Sequence, residues 1–310
     1  MDSGLLRLEA LSISGTESPA VTASAGSAEG LVVTGAVDGV RDLVIPDTVG
    51  GKRVLGIAPH AFAGNADLRF VSLPESIRFI GSFAFHNCLS LAKMELHDSI
   101  TDYGDGSIRQ CTALSDVRIA MHASNHEAVV RMLSDCDNTL TFTLDYPDGT
   151  ALLTFPGYVY DFTENTMART IQFNIEGSGM AFRDCVSRTG IDFAAYDRLF
   201  HRAKLDNIAV TVRLLLNRLM TPYALSSQAK ALYEAYVEEN AEAVLKTLVQ
   251  QSDTEGIRFL ASEKKRHLLN KPAVSGAVML ASSGHHPEMT ALLMDCAAAM
   301  THAGRARLLL

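Results

Sequence analysis

No stretch of this 310-residue chain stays apolar for the roughly 18 residues a helical bilayer span needs, so no membrane span is expected. Basic residues are the minority: 27 Lys and Arg against 35 Asp and Glu leave a formal charge of −8. A nucleic-acid or anionic-membrane partner would favour a basic stripe, and the balance argues against both. Cysteines number five, an odd count with no CxxC pair. There is no HExxH, no GxSxG elbow and no Walker loop. No catalytic residue, metal site or cofactor is therefore expected. The opening MDSGLLRLEALSISG begins with an acid and soon meets Arg7 and Glu9, unlike a signal peptide. The expectation is a cytoplasmic protein as the sequence stands, or a secreted or cell-surface one if a leader has been removed.

What the chain does have is a period. Leu73, Leu96 and Ile119 follow one another at steps of 23, as do Leu68, Leu91 and Leu114. Ile57 and Ile80 keep the same step, and so do Phe62, Phe85 and Ile108. Asn65, Cys88 and Cys111 mark the turn of each copy. Apolar residues at fixed slots with a period of about 20–29 are the signature of leucine-rich solenoid coils.

Residues 70–91, FVSLPESIRFIGSFAFHNCLSL, show how a coil is built. A short strand, Phe70-Val71-Ser72-Leu73, is ended by Pro74, which has no N–H for a ladder. Val71 and Leu73 point inward, so Phe70 and Ser72 point out. A second extended piece, Ile77-Arg78-Phe79-Ile80, closes at Gly81, where the turn calls for positive φ. The third part buries Ala84 and Phe85. One coil cannot cover its own apolar face, whereas a stack of coils can. Cys88 and Cys111 then read as a ladder of buried thiols; whether neighbours could join as a disulfide is a matter of geometry.

Segments such as IPDTVGGKRVLGIAPHAFAGNADL and LPESIRFIGSFAFHNCLSL resemble the BspA-like bacterial leucine-rich repeats over residues 30–120. The first copy is longer, with Gly50-Gly51-Lys52 as the insertion. The third replaces Pro with His97 and the Ala-Phe pair with Ser107-Ile108, as a degenerate coil near the stack's end. The resemblance implies a scaffold for recognition, and family members are often surface or secreted adhesion proteins.

On either side the pattern changes. Residues 1–30 are expected to form a cap strand and loose hairpin, with a plain linker as the alternative. Residues 125–133 are expected to form a short helix, and LTFTLDYPDGTALLTF a hairpin turning at Tyr146-Pro147-Asp148-Gly149. From about Asn165 everything is expected to be helical: 192–203, 206–220, 226–240, 241–250, 254–264, 272–282 and 287–300, with Ser226 and Asp253 as N-caps. DTEGIRFL at 253 and HPEMTALL at 286 stand 33 residues apart, matching Glu255 to Glu288 and Leu260 to Leu293. KPAVSGAVMLASSGHHPEMTALLMDCA looks like an ankyrin unit, and the wider block is similar to a helical tail of gut-bacterial leucine-rich repeat proteins.

His122 and His126, four apart and followed by Glu127, place two imidazoles on one helix face; a solvated helix edge explains them better than zinc. His285-His286 fits a loop between helices. Gly177-Ser178-Gly179 reads as a break between helices. Cys185 lies between Arg183 and Arg188, which would lower its pKa, though a cysteine at helical spacing is usually core.

The fold class expected is α+β: a leucine-rich repeat solenoid with a short-stranded parallel sheet, capped by a hairpin, then an all-α domain of helical pairs. The boundaries are 1–30 for the N-terminal cap, 31–122 for the repeats, 123–160 for the cap helix and hairpin, and 161–310 for the helical array. The expected function is non-catalytic binding of a protein or peptide. The alternative is a ligand-binding protein or enzyme with its site in the crevice between the domains. Strand alternation puts Asp42 and Val44, Phe70 and Ser72, Lys93 and Glu95, and Asp116 and Arg118 on the outer face of the sheet, with Val44 and Phe70 adjacent. That face is the candidate binding site, its rival being a solvated face whose charges pair across strands.

Overall fold

The computed structural model describes residues 6–10, 30–165 and 170–307. The chain divides into two compact units, one running to Leu199 and one starting at Phe200. Residues 161–199, expected with the helical array, are thus grouped with the solenoid.

The first unit runs β1 (Leu6–Ala10), β2 (Leu31–Ala36), β3 (Asp42–Val44), β4 (Thr48–Val49), β5 (Lys52–Ile57), β6 (Phe70–Ser72), β7 (Phe79–Ile80), β8 (Lys93–His97), β9 (Asp102–Tyr103), β10 (Asp116–Ala120) and helix α1 (Glu127–Asp135). Then come β11 (Leu140–Tyr146), β12 (Gly149–Phe155), β13 (Val159–Asn165), β14 (Thr170–Glu176), α2 (Gly179–Arg183), β15 (Val186–Ser187), β16 (Gly190–Ile191) and α3 (Phe193–Arg198). One sheet has the order β1-β2-β5-β7-β9, with β4 folded onto β5, and the other β12-β11-β10-β8-β6-β3. Each coil gives a strand to both. The register repeats the sequence period, Phe70 opposite Lys93 and Lys93 opposite Asp116. β1 seals the first coil by antiparallel pairing with β2; the hairpin expected after it falls largely outside the described residues. The insertion Gly50-Gly51 turns the β4–β5 hairpin with both glycines at positive φ, 58° and 79°.

The apolar slots form the core. Val71, Leu73, Met94, Leu96, Val117 and Ile119 are all buried. Phe62 and Phe85 stack with centroids 5.0 Å apart and planes 6° from parallel. The thiol ladder is present: Cys88 Sγ donates to the Phe62 carbonyl (3.1 Å) and Cys111 Sγ to the Phe85 carbonyl (3.0 Å). Both thiols are buried and free, and the neighbouring Cys88 thiol, with burial, holds the Cys111 pKa far up.

Gly81 does not have the positive φ expected of it. What it needs is room: a Cβ there would lie 2.3 Å from Pro59 N, and one on Gly104, a period later, 2.3 Å from Ser82 N. Backbone cannot step aside as a side chain can. Gly81→Ala is therefore expected to cost about 1–3 kcal/mol in denaturant melts, while Gly190→Ala, whose Cβ meets nothing within 4 Å, stays within about 0.5 kcal/mol. Equal effects would show that close approach is not the reason for glycine.

Left-handed backbone does recur, at slots the sequence hides. His60, Phe83 and Gly106 have φ of 57°, 57° and 68°, and Gly64, Asn87 and Gln110 have 76°, 59° and 64°. Between these corners the turns form their own ladder. Phe62 N donates to Ala84 O (2.7 Å), Phe85 N to Ser107 O (2.8 Å) and Asn87 N to Arg109 O (2.9 Å). In the last full turn the donors find a side chain instead, as Gly106 N and Ile108 N donate to the Asp135 carboxylate at 2.9 and 3.5 Å. Burial raises the pKa of Asp135.

The far cap is more than a hairpin. β11 pairs parallel with β10, continuing the repeat sheet, and antiparallel with β12. Asp98, buried in the third coil, accepts from Ala123 N (2.6 Å) and Asn125 N (3.3 Å). Phe142, Phe155, Tyr196 and Phe182 meet edge to face. Arg183 ties the pieces by donating to the carbonyls of Leu133, Cys136, Asn138, Pro156 and Gly179. The chain after Asn165 is not wholly helical: β14 pairs with β13, and β15 with β16. Gly177, at φ 94°, turns between β14 and α2 rather than between two helices.

The second unit is helical: α4 (Phe200–Ala203), α5 (Ile208–Met220), α6 (Ser227–Glu239), α7 (Ala241–Gln250), α8 (Thr254–Ala261), α9 (Lys271–Ser283) and α10 (Pro287–Arg307). Ser226 and Asp253 cap as expected, accepting from Ala229 N and Gly256 N. The Glu pair of the 33-residue echo meets on one cation, since Arg258 bridges Glu255 and Glu288. Leu260 and Leu293 are both buried.

Candidate interaction face

The outer face of the repeat sheet is built by strand alternation. Leu43, Val71, Met94 and Val117 turn into the core, so their neighbours turn out. One row runs Asp42, Phe70, Lys93, Asp116 and the next Val44, Ser72, Glu95, Arg118. Asp42, Val44, Lys93, Asp116 and Arg118 are exposed, and Phe70, Ser72 and Glu95 half-buried. Val44 lies opposite Ser72, so it is a diagonal neighbour of Phe70 rather than the directly adjacent one expected. Both remain within side-chain reach.

The charges on this face partly satisfy one another, one pair along a strand and one across strands. Lys93 Nζ reaches Glu95 Oε1 along its own strand at 2.8 Å and sits 5.5 Å from the centre of the Phe70 ring. Arg118 Nε reaches Asp145 Oδ2 at 2.6 Å. Asp145 belongs to β11 and also accepts from Thr150 Oγ1 at 2.9 Å. Sequence reasoning missed Asp145 because the period does not reach it; the alternation of LTFTLDY beside β10 is the signal that finds it.

The isolated chemical candidates are placed elsewhere. α1 starts only at Glu127, so His122 and His126 do not share a helix face. His126 is buried, with Nε2 2.8 Å from Tyr146 Oη, and burial lowers its pKa. The His122 ring lies 6.2 Å from that of His97. Cys185 does not have a lowered pKa: burial pushes its thiol up to about 11. Arg183 is turned to carbonyls and Arg188 to Glu127 at 2.7 Å, so neither serves the thiolate. His285 takes its expected place in the loop between α9 and α10.

Coils of about 23 residues, each giving a short strand to two parallel ladders around stacked Phe and Leu slots, define a leucine-rich repeat solenoid. Its repeats are of the BspA type: residues 40–147 match the BspA type leucine rich repeat region in six copies, reaching through β11. Among solved structures, the chain is similar to a leucine rich cell surface protein from Faecalibacterium prausnitzii A2-165, at 26% identity over 31% of this chain and 30% of that one, TM-score 0.26. It is also similar to the T. pallidum leucine rich repeat protein, at 24% identity over 29% and 63%, TM-score 0.21. A third is a leucine-rich repeat protein from Bacteroides ovatus ATCC 8483, at 16% identity over 30% and 46%, TM-score 0.18. The chain thus spans less than two thirds of each of these. No curated protein matches it. Among the described residues no helix is long and apolar enough to cross a membrane.

Proposed function

We propose that this chain is a non-catalytic interaction module that binds a protein or peptide on the outer face of its repeat sheet. The observation that supports the reading most is the row placing a half-buried Phe70 beside exposed Val44 and within a rim of Lys93, Glu95, Asp116 and Arg118. Protein interfaces concentrate their energy in such aromatic and Arg anchors with polar surroundings. The core slots hold the coils together, which leaves the outward positions free for recognition. BspA type repeats suggest the same use, as a protein-interaction or surface-binding module.

The test is a partner recovered by affinity capture and identified by mass spectrometry, then measured against variants. Phe70→Ala with Arg118→Ala is expected to weaken binding about tenfold or more. The melting temperature should stay within a few degrees, because surface changes cost about 0.5 kcal/mol. Unchanged affinity in the double variant would remove the sheet face as the site and turn attention to the helical unit.

A further inference from the structure

The chain carries a net charge of −8, yet exposed arginines stand just before β3 and β6, beside the outward Asp42 and Phe70. Arg41 and Arg69 stand at the same slot of successive coils, where Arg69 N and Phe70 N both donate to Arg41 O at 2.7 and 3.1 Å. Both side chains are exposed, and among the described residues neither guanidinium has a hydrogen bond or ion pair. On the face itself the cations are engaged, Lys93 with Glu95 and Arg118 with Asp145. Both arginines stand just before their strands, Arg41 before β3 and Arg69 before β6, and like charges on neighbouring coils do not stabilise the stack. Their planar forks match carboxylates two bonds at a time. Next to Arg69 in the chain stands Phe70, an apolar surface with Lys93 over its ring.

We propose that this site receives an acidic peptide segment, with carboxylates on Arg41 and Arg69 and an adjacent apolar side chain on Phe70; this rests on the reading above that the outer sheet face is the working surface. A peptide suits the face better than a uniform polyanion such as polyphosphate. Asp42, directly opposite Phe70, and Glu95 and Asp116 further along the face would repel continuous negative charge, whereas a peptide can change its side chain at each step.

The experiment is selection of a displayed random decapeptide library on the full chain, on Arg41→Gln/Arg69→Gln and on Phe70→Ala/Arg118→Ala, followed by titration of the selected peptides. On the full chain the enriched sequences should pair Asp or Glu with a nearby aromatic or aliphatic residue. Binding of those peptides should fall about tenfold or more in Arg41→Gln/Arg69→Gln, fall in Phe70→Ala/Arg118→Ala, and weaken with added salt. Peptides without an acidic excess that still depend on Phe70 and Arg118 would overturn the acidic partner while leaving the sheet-face reading intact. Peptides indifferent to both variants, or no enrichment at all, would overturn both. Polyphosphate binding that needs Arg41 and Arg69 but not Phe70, without peptide enrichment, would replace the peptide with a polyanion.

Discussion

Phe85→Ala is expected to cost the repeat unit about 3–5 kcal/mol. The ring is completely buried in the middle of the stack, parallel to Phe62, with its backbone carbonyl receiving the Cys111 thiol. Truncation removes the transfer energy of the ring and leaves a cavity between coils that are hydrogen-bonded above and below, so the walls cannot close on it. Urea melts followed by far-UV circular dichroism measure the loss. A value under about 1 kcal/mol would mean that the coils collapse around the missing ring and that the slot does not hold the stack. Phe85→Leu, which keeps most of the volume, should recover much of the difference.

Arg183→Met is expected to cost at least about 3 kcal/mol, for a different reason. The guanidinium serves five carbonyls from α1's last turn, the two segments flanking the hairpin and α2, and its flat face lies 4.7 Å from the centre of the Tyr158 ring. Methionine fills the space of the stem but leaves those acceptors without their donor, and an unsatisfied buried acceptor costs about 1–3 kcal/mol. Lysine is no rescue, since one ammonium cannot fork toward five oxygens. Arg183→Lys should melt close to Arg183→Met. Recovery by lysine to near the parent stability would show that charge, rather than the fork, is what the site needs.

These two positions differ in how readable they were. Phe85 announced itself through Phe62 and Ile108 at equal steps, because an apolar slot repeats wherever coils repeat. The outward row from Asp42 to Arg118 followed from the same alternation, and so the candidate face was legible in outline. Arg183 gave no such sign: it is one polar residue whose partners lie up to 50 positions away, and it looked like a neighbour of Cys185. The left-handed corners were hidden because His60, Phe83, Asn87 and Gln110 occupy them in place of glycine. Gly81 misled in the opposite sense, since its glycine answers a close approach to Pro59 and not a backbone angle. The hairpin of β13 and β14 was missed because the helical composition downstream was read back across it. Asp145 and the unpaired Arg41 and Arg69 needed the partners of every charge on the face, which only coordinates give.

The turn ladder has a direction, and synthesis runs along it. Phe62 and Gly64 donate forward to Ala84 and His86, and Phe83, Phe85 and Asn87 to Asp105, Ser107 and Arg109. A coil leaving the ribosome therefore carries donors whose acceptors have not yet been made. Each new coil settles the one before it and opens the same debt itself, until Asp135 closes the series with a carboxylate at Gly106 and Ile108. A chain cut just short of residue 135 would thus carry its last turn with open donors at Gly106 and Ile108, and the stack closes only once α1 is in place.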